Sequence, residues 1–205
     1  MTIKDFGSRV AQIWEGLRPE TRKLLVGALD SKNKPSLFAQ RKFFYDAHSD
    51  LELSSLLSAL DEQSAATNKK LEIRKKREIE KLADACAAVL EAQTGSAEVF
   101  IQLAERYLER NDYNGLDTLS NKLTERFSPI EIAEIARQAE QPQIRAIAFE
   151  TLALMPIAQL LTILEDTAYY DIAVNALQQQ AFEFGSEEAR GILAEIDLLD
   201  DPRQD

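Results

Sequence analysis

"QPQIRAIAFETLALMPIAQLLTILEDTAYYDIAVNALQQQAFE" (residues 141–183) carries one apolar pattern twice. Sliding the chain by 28 residues lays Ile130, Ile132, Ala133, Ile135 and Ala136 on Ala158, Leu160, Leu161, Ile163 and Leu164. Past the intervening turn, Ile144, Ala148, Phe149, Ala153 and Leu154 fall on Ile172, Ala176, Leu177, Ala181 and Phe182. Helical periodicity alone repeats apolar residues within one helix, but it does not keep two helices and their connection in register. Pro142 marks the turn in the first unit, "EDTAYYD" stands at the equivalent place in the second, and Pro156 punctuates the join. The expectation is a duplicated helix-turn-helix unit.

Upstream, residues 97–127 read as a third helical pair joined at "RNDYNG", with Ala104, Tyr107 and Leu108 on one helix and Leu116, Leu119 and Phe127 on the other. Ser128, Pro129 and Glu131 supply an N-cap, a first-turn proline and a capping box for the next helix. A lone pair cannot bury its apolar face, so three stacked pairs would sustain one another. A final helix from Ser186, with Ile192, Ile196 and Leu199, would cover the last pair, and an acidic tail over 200–205 would keep that end in water.

Towards the amino terminus, Phe6, Val10, Ile13, Trp14 and Leu17 form one helical stripe, and Pro19 opens a helix running through Leu24, Leu25, Ala28 and Leu29. "SKNKP" (31–35) reads as a loop. The segment 37–45 mixes Phe38, Phe43, Phe44 and Tyr45 with Arg41 and Lys42, a mixture that anchors a small core or stacks on single-stranded nucleic acid. Ser49 and Glu52 read as a capping box for a helix with Leu53, Leu56, Leu57 and Leu60 on one face. Residues 1–62 thus form a small helical unit. Residues 63–93 contain no Gly or Pro and read as a long charged connector helix. Its second half has a stripe in Ile79, Leu82, Cys86, Val89 and Leu90; its first half is a solvated basic arm supported by pairs such as Glu72 with Lys76 and Arg74 with Glu78.

Composition agrees with an all-α chain: 205 residues, 45% hydrophobic and 29% charged, with only 7 Gly and 6 Pro. The net charge of −11 is uneven. Residues 1–81 carry 16 Lys or Arg against 12 Asp or Glu; residues 82–205 carry 8 against 23. Cys86 is the single cysteine, which excludes an internal disulfide, and its alanine-rich setting suggests a buried thiol. The opening lacks the apolar core of a secretory signal, and no apolar run approaches the roughly 18 residues of a membrane helix. A cytoplasmic protein with no membrane partner is expected.

"PQIRAIAFETL" (142–152) resembles the second helix of a HEAT-like repeat through Ile144, Arg145, Ala148 and Leu152, with Phe149 and Thr151 in place of the usual alanines and Ala173 in place of the arginine in the next unit. "LAERYLERNDYNGL" (103–116) resembles a tetratricopeptide hairpin through Leu103, Ala104, Tyr107, Asp112 and Tyr113, with Asn111 where Gly is common and Leu116 where Ala is. The resemblance covers about half of the chain and implies an α-α superhelix, a short solenoid over 94–199. It also implies that Arg145 pairs with an acidic neighbour, Asp166 being the candidate.

No chemistry-bearing constellation stands out. His48 is the only histidine, placed at a turn before the expected cap, and one His and one Cys cannot supply the usual soft zinc ligands. There is no Walker A motif, no dinucleotide-binding glycine pattern and no His-Glu-x-x-His. Glu187-Glu188 and Asp200-Asp201 read as acids at helix ends. No catalytic residue, cofactor or metal is expected. The leading reading is a non-catalytic scaffold or adaptor that binds a protein or peptide, with Asn121, Lys122, Arg126, Glu150, Gln178 and Gln179 displayed on the outward second helices. The alternative is nucleic-acid association through Lys69, Lys70, Arg74, Lys75, Lys76, Arg77 and Lys81. Partner identity and oligomeric state stay open.

Overall fold

A computed structural model describes residues 3–31, 45–66 and 73–199, and every regular element among them is helical. The chain divides into an amino-terminal unit, Met1–Thr94, and a carboxyl-terminal unit, Gly95–Asp205. By residue type the first carries 16 Lys or Arg against 14 Asp or Glu, and the second 8 against 21, a net −13.

In the amino-terminal unit a 3-10 turn (Ile3–Phe6) leads into α1 (Ser8–Gly16), α2 (Pro19–Ser31), α3 (Ala47–Ala66) and α4 (Ile73–Gln93). Gly7, at φ 129, separates the turn from α1, a conformation that side-chain-bearing residues resist. Most of the expected stripe residues form the core: Phe6, Val10 and Leu17; Leu24, Leu25 and Ala28; Leu53, Leu56, Leu57 and Leu60; Ile79, Leu82, Cys86, Val89 and Leu90 are all buried, while Ile13, Trp14 and Leu29 are half-buried. The α3–α4 pair is the main packing contact, with α2 against α4 and α1 against α3.

Two expectations change here. Residues 63–93 are not one connector helix. Residues 63–66 end α3, and α4 packs back along it antiparallel, with the Ser64 hydroxyl donating to Glu80 (3.3 Å) and the Cys86 thiol to the Leu53 carbonyl (3.1 Å). The apolar stripe of α4 is broad enough to demand a partner face, and α3 supplies it. The cap of α3 also lies three residues earlier than Ser49–Glu52. Asp46 Oδ1 accepts from the Ser49 amide (2.8 Å), while Glu52 sits in the second turn and turns to α2. The aromatic segment 37–44 and the "SKNKP" loop beyond Ser31 lie outside the described residues.

The carboxyl-terminal unit is built from α5 (Ala97–Glu109), α6 (Tyr113–Ser120), the single turn α7 (Leu123–Arg126), α8 (Pro129–Gln138), α9 (Pro142–Ala153), α10 (Ile157–Leu164), α11 (Tyr170–Phe182) and α12 (Glu187–Leu199). Helices α8 and α10 start 28 residues apart, at Pro129 and Ile157, and so do α9 and α11, at Pro142 and Tyr170. Successive pairs pack α5 on α6, α8 on α9 and α10 on α11; α8 and α9 lie on α5, and α10 and α11 on α8 and α9. Small buried residues on the second helices, Ala148 on α9 and Ala173, Ala176 and Ala181 on α11, permit close approach of the helices. Phe100 and Phe127 meet edge to face at 5.6 Å. Helix α12 covers α11.

Turn chemistry explains the joints. Asn111 adopts φ 54, and the Asp112 amide closes back on the Tyr107 carbonyl at 2.9 Å. Asparagine tolerates the left-handed region better than most residues, which is why it can hold this turn. Gly185 (φ 70) does the same after α11, with the Ser186 amide reaching the Gln180 carbonyl at 3.0 Å. Ser128 caps α8 through the Glu131 amide (3.2 Å), as expected, but the Glu131 side chain does not return to Ser128. It accepts from the Ala97 amide at 2.9 Å and so caps α5, whose own N-cap Ser96 makes no side-chain cap bond. Among the described residues no single helix is long and apolar enough to cross a membrane; the apolar pair α9 and α10 is bent by 117°.

Candidate partner-binding surface

The charged groups of the carboxyl-terminal unit divide into those that hold hairpins together and those left at the surface. Glu134 on α8 accepts from Arg137 (2.7 and 2.5 Å), from Gln138 and from the Tyr169 hydroxyl (2.8 Å), which comes from the turn before α11. The Arg137 guanidinium, which also lies over the Tyr169 ring at 6.0 Å, holds the Glu134 carboxyl down at about 2 against the opposing effect of burial, with Tyr169 and Gln138 adding to it. Arg145 does not meet Asp166. Its Nη1 donates to the carbonyls of Ala139 (3.0 Å) and Glu140 (3.1 Å), while Asp166 accepts from the Ala168 amide in its own turn (2.9 Å). The reason is local: the end of α8 leaves carbonyls without intrahelical donors, and an arginine one turn into α9 is close enough to satisfy them. Arg190 repeats the device, donating from α12 to the Ala181 carbonyl (3.2 Å) and pairing with Glu187 (2.5 Å). Glu105 is the exception among these acids; burial, with Glu109 and Glu140 nearby, raises its pKa.

Of the six residues expected at a partner surface, Asn121, Arg126, Glu150 and Gln178 are exposed, while Lys122 and Gln179 are half-buried. Glu150 on α9 and Gln178 on α11 occupy the same position of helices that pack directly together. Asn121 is the C-cap of α6, Lys122 the N-cap of α7 and Arg126 the last residue of α7. Gln179 Nε2 donates to Glu183 (3.1 Å), and with Asn175, Gln178 and Phe182 this pair lines a shallow depression of about 330 Å³ on α11.

The strongest surface feature had no place in that set. Leu154 is 71% exposed, Phe182 78% and Phe184 56%, although most large apolar residues described in this unit are buried or half-buried. Leu154 and Phe182 again stand 28 residues apart. Gln180, itself buried, donates to the Met155 carbonyl at 2.7 Å and ties the end of α11 to the end of α9. A signal for this was present in the sequence. The buried faces run through Ile144, Ala148, Leu152 and Ala153 on α9 and through Ala173, Ala176, Leu177, Gln180 and Ala181 on α11; Leu154 and Phe182 each follow directly on the last member, about 100° further round the helix.

In the amino-terminal unit, Arg74, Arg77 and Lys81 are exposed along one stripe of α4 and Lys75 and Lys76 are half-buried; Lys69 and Lys70 lie outside the described residues. The expected Arg74–Glu78 pair does not form, because two exposed, solvated chains gain little by meeting. Arg18 is the opposite case. It binds Asp46 through both terminal nitrogens (3.0 and 2.6 Å), Ser49 (3.1 Å) and Glu52 (3.2 Å), and Glu52 also accepts from the Arg18 amide (3.0 Å) and the buried Thr21 hydroxyl. Arg18 holds Asp46 well below the usual carboxylate range. Burial alone would raise Glu52, but its hydrogen bonds from Thr21 and Arg18 win and lower it. This cluster clamps the start of α2 to the start of α3.

His48 is exposed in the first turn of α3 and Cys86 is fully buried, and among the described residues no group of three or more His, Cys, Asp or Glu converges. No protein-family model, curated protein or solved structure matches this chain.

Proposed function

We propose that the chain is a non-catalytic, cytoplasmic protein-binding scaffold whose carboxyl-terminal hairpins act as a short α-solenoid of HEAT-like and tetratricopeptide-like units. The observation that carries this reading is the exposure of Leu154 and Phe182 at equivalent positions of two adjoining hairpins. Exposed large apolar residues repeated at one place on a surface are where a polypeptide partner gains most from excluding water. Glu150, Gln178 and Gln179 flank the row on the same helices and supply polar contacts at its rim.

The test is a photoactivatable residue at Gln178 in the full chain, with the same residue at exposed Glu98 on α5 as control. Discrete polypeptide adducts specific to position 178 are expected, surviving salt of about 0.3 M because apolar burial is not screened. Adducts at neither position, or equally at both, would remove the reading.

A second reading rests on Arg74, Arg77 and Lys81, three exposed cations on one stripe of α4. It assigns nucleic-acid association to the amino-terminal unit, with affinity falling steeply as salt rises and falling further when Lys75, Lys76 and Arg77 are changed to Glu. Salt-insensitive retention, or none at low salt, would dismiss it.

A further inference from the structure

We infer that the occupant of the Leu154–Phe182 row is a cationic amphipathic helix of a partner protein, lying across the carboxyl-terminal ends of α9 and α11. This rests on the protein-binding reading above and commits it to one chemical class of partner.

Spacing is the first argument. Helices α9 and α11 pack directly, which sets their axes about 8–10 Å apart. The Gln180–Met155 bond ties their ends together, so Leu154 and Phe182 present neighbouring apolar knobs about one helix diameter apart. On a helix crossing them, residues i and i+7 are separated by about 10.5 Å along the axis and share a face. One apolar stripe therefore meets both knobs, and Phe184 extends the surface beyond Phe182.

Charge is the second. The unit carries a net −13, and α11 contains no Lys or Arg. Glu150, one turn before Leu154, is exposed, and its carboxylate makes no hydrogen bond or ion pair among the described residues. The nearby cations are engaged: Arg145 with the Ala139 and Glu140 carbonyls, Arg190 with Glu187 and the Ala181 carbonyl. An incoming Lys or Arg meets a carboxylate that lacks a partner, in a unit with a large excess of acids. A second copy of the same face would instead set two strongly acidic surfaces together, and the repulsion disfavours self-association.

The experiment uses two fluorescein-labelled synthetic helices of about 18 residues with the same leucine stripe, one bearing Lys and the other Glu at the remaining positions. Anisotropy is read with the full chain, with Leu154→Ser/Phe182→Ser, and with Leu161→Ser as a control on a 39% exposed apolar residue outside the row. The lysine helix should bind at least about tenfold tighter than the glutamate helix, and the double variant should lose at least about tenfold while Leu161→Ser does not. Circular dichroism checks the fold, and Leu154→Gln/Phe182→Gln serves if the serine pair unfolds. Equal binding by the double variant, or a preference for the glutamate helix, overturns the proposal. So does a concentration-dependent dimer abolished by Phe182→Ser, which would assign the row to a second copy. Gln178 adducts in cells together with failure of both helices would leave the scaffold standing and remove only this partner class.

Discussion

The Tyr169 hydroxyl donates to Glu134 across 35 residues of sequence, at 2.8 Å, joining the turn before α11 to the middle of α8. The same carboxylate takes Arg137 and Gln138 from its own helix, so three side chains from two hairpins share one acceptor. Tyr169→Phe removes only the hydroxyl. It should destabilise the carboxyl-terminal unit by about 1 kcal/mol, read by denaturant unfolding. No change would mean the bond is made equally well to water.

Glu134 also sets an acid limit. Its folded pKa of about 2 lies below the ordinary 4.5, so the stability it adds is fully present above about 4.5 and is lost as pH falls towards 2. Glu134→Gln should flatten that part of the stability profile. A profile of unchanged steepness between pH 4.5 and 2 would show that other acids govern it.

At the α2–α3 clamp, Glu52→Ala leaves the fully buried Thr21 hydroxyl and two Arg18 donors without their acceptor. The expected cost is about 2–3 kcal/mol, read on the unfolding of the amino-terminal unit. Asp46 and Glu52 are both depressed, so the clamp is intact at neutral pH and is lost as pH falls below the ordinary carboxylate range. Thr21→Val paired with Glu52→Ala should cost less than Glu52→Ala alone; an equal or larger loss would place the penalty elsewhere.

Asn111 in the turn and Gly115 in the first turn of α6 separate backbone from packing effects. Asn111→Gly, at φ 54, should be nearly neutral, whereas Asn111→Val should cost about 1–2 kcal/mol. A Cβ at Gly115 would overlap the Tyr107 ring and crowd Asp112, so Gly115→Ala should cost about 1–3 kcal/mol. Thermal midpoints of the three variants check both claims.

Cys86 is fully buried against the Leu53 carbonyl. A thiol reagent should therefore modify it only through opening of the amino-terminal unit, and Glu52→Ala should speed that reaction. Fast labelling of the native chain, unchanged by the clamp variant, would contradict this.

Most of the helices were legible because their signals are local. Pro19, Pro129 and Pro142 each open a helix, and the stripes Leu53–Leu60 and Ile79–Leu90 are the faces that become buried. The pairing of side chains across helices was not legible. Arg145 found two carbonyls in place of Asp166, Glu131 capped α5 instead of returning to Ser128, and Glu52 was claimed by Arg18 and Thr21. Each choice depends on what lies within about 3 Å once the helices have packed, and spacing along the chain does not encode that distance. The exposed row was half legible: the 28-residue pattern matched Leu154 to Phe182 but counted both with the stripes, because hydrophobicity records what prefers burial and not what is buried.

By itself the sequence determined that the chain is helical, where most helices begin and which faces are apolar, since backbone preference and period 3.6 act within a few residues of each position. Only tertiary structure decided that α4 folds back on α3, that carboxylates and arginines bond across hairpins, and that Leu154 and Phe182 stay in water. Those outcomes depend on which surfaces meet, and a stripe of apolar residues states that a partner is needed without saying which one it will be.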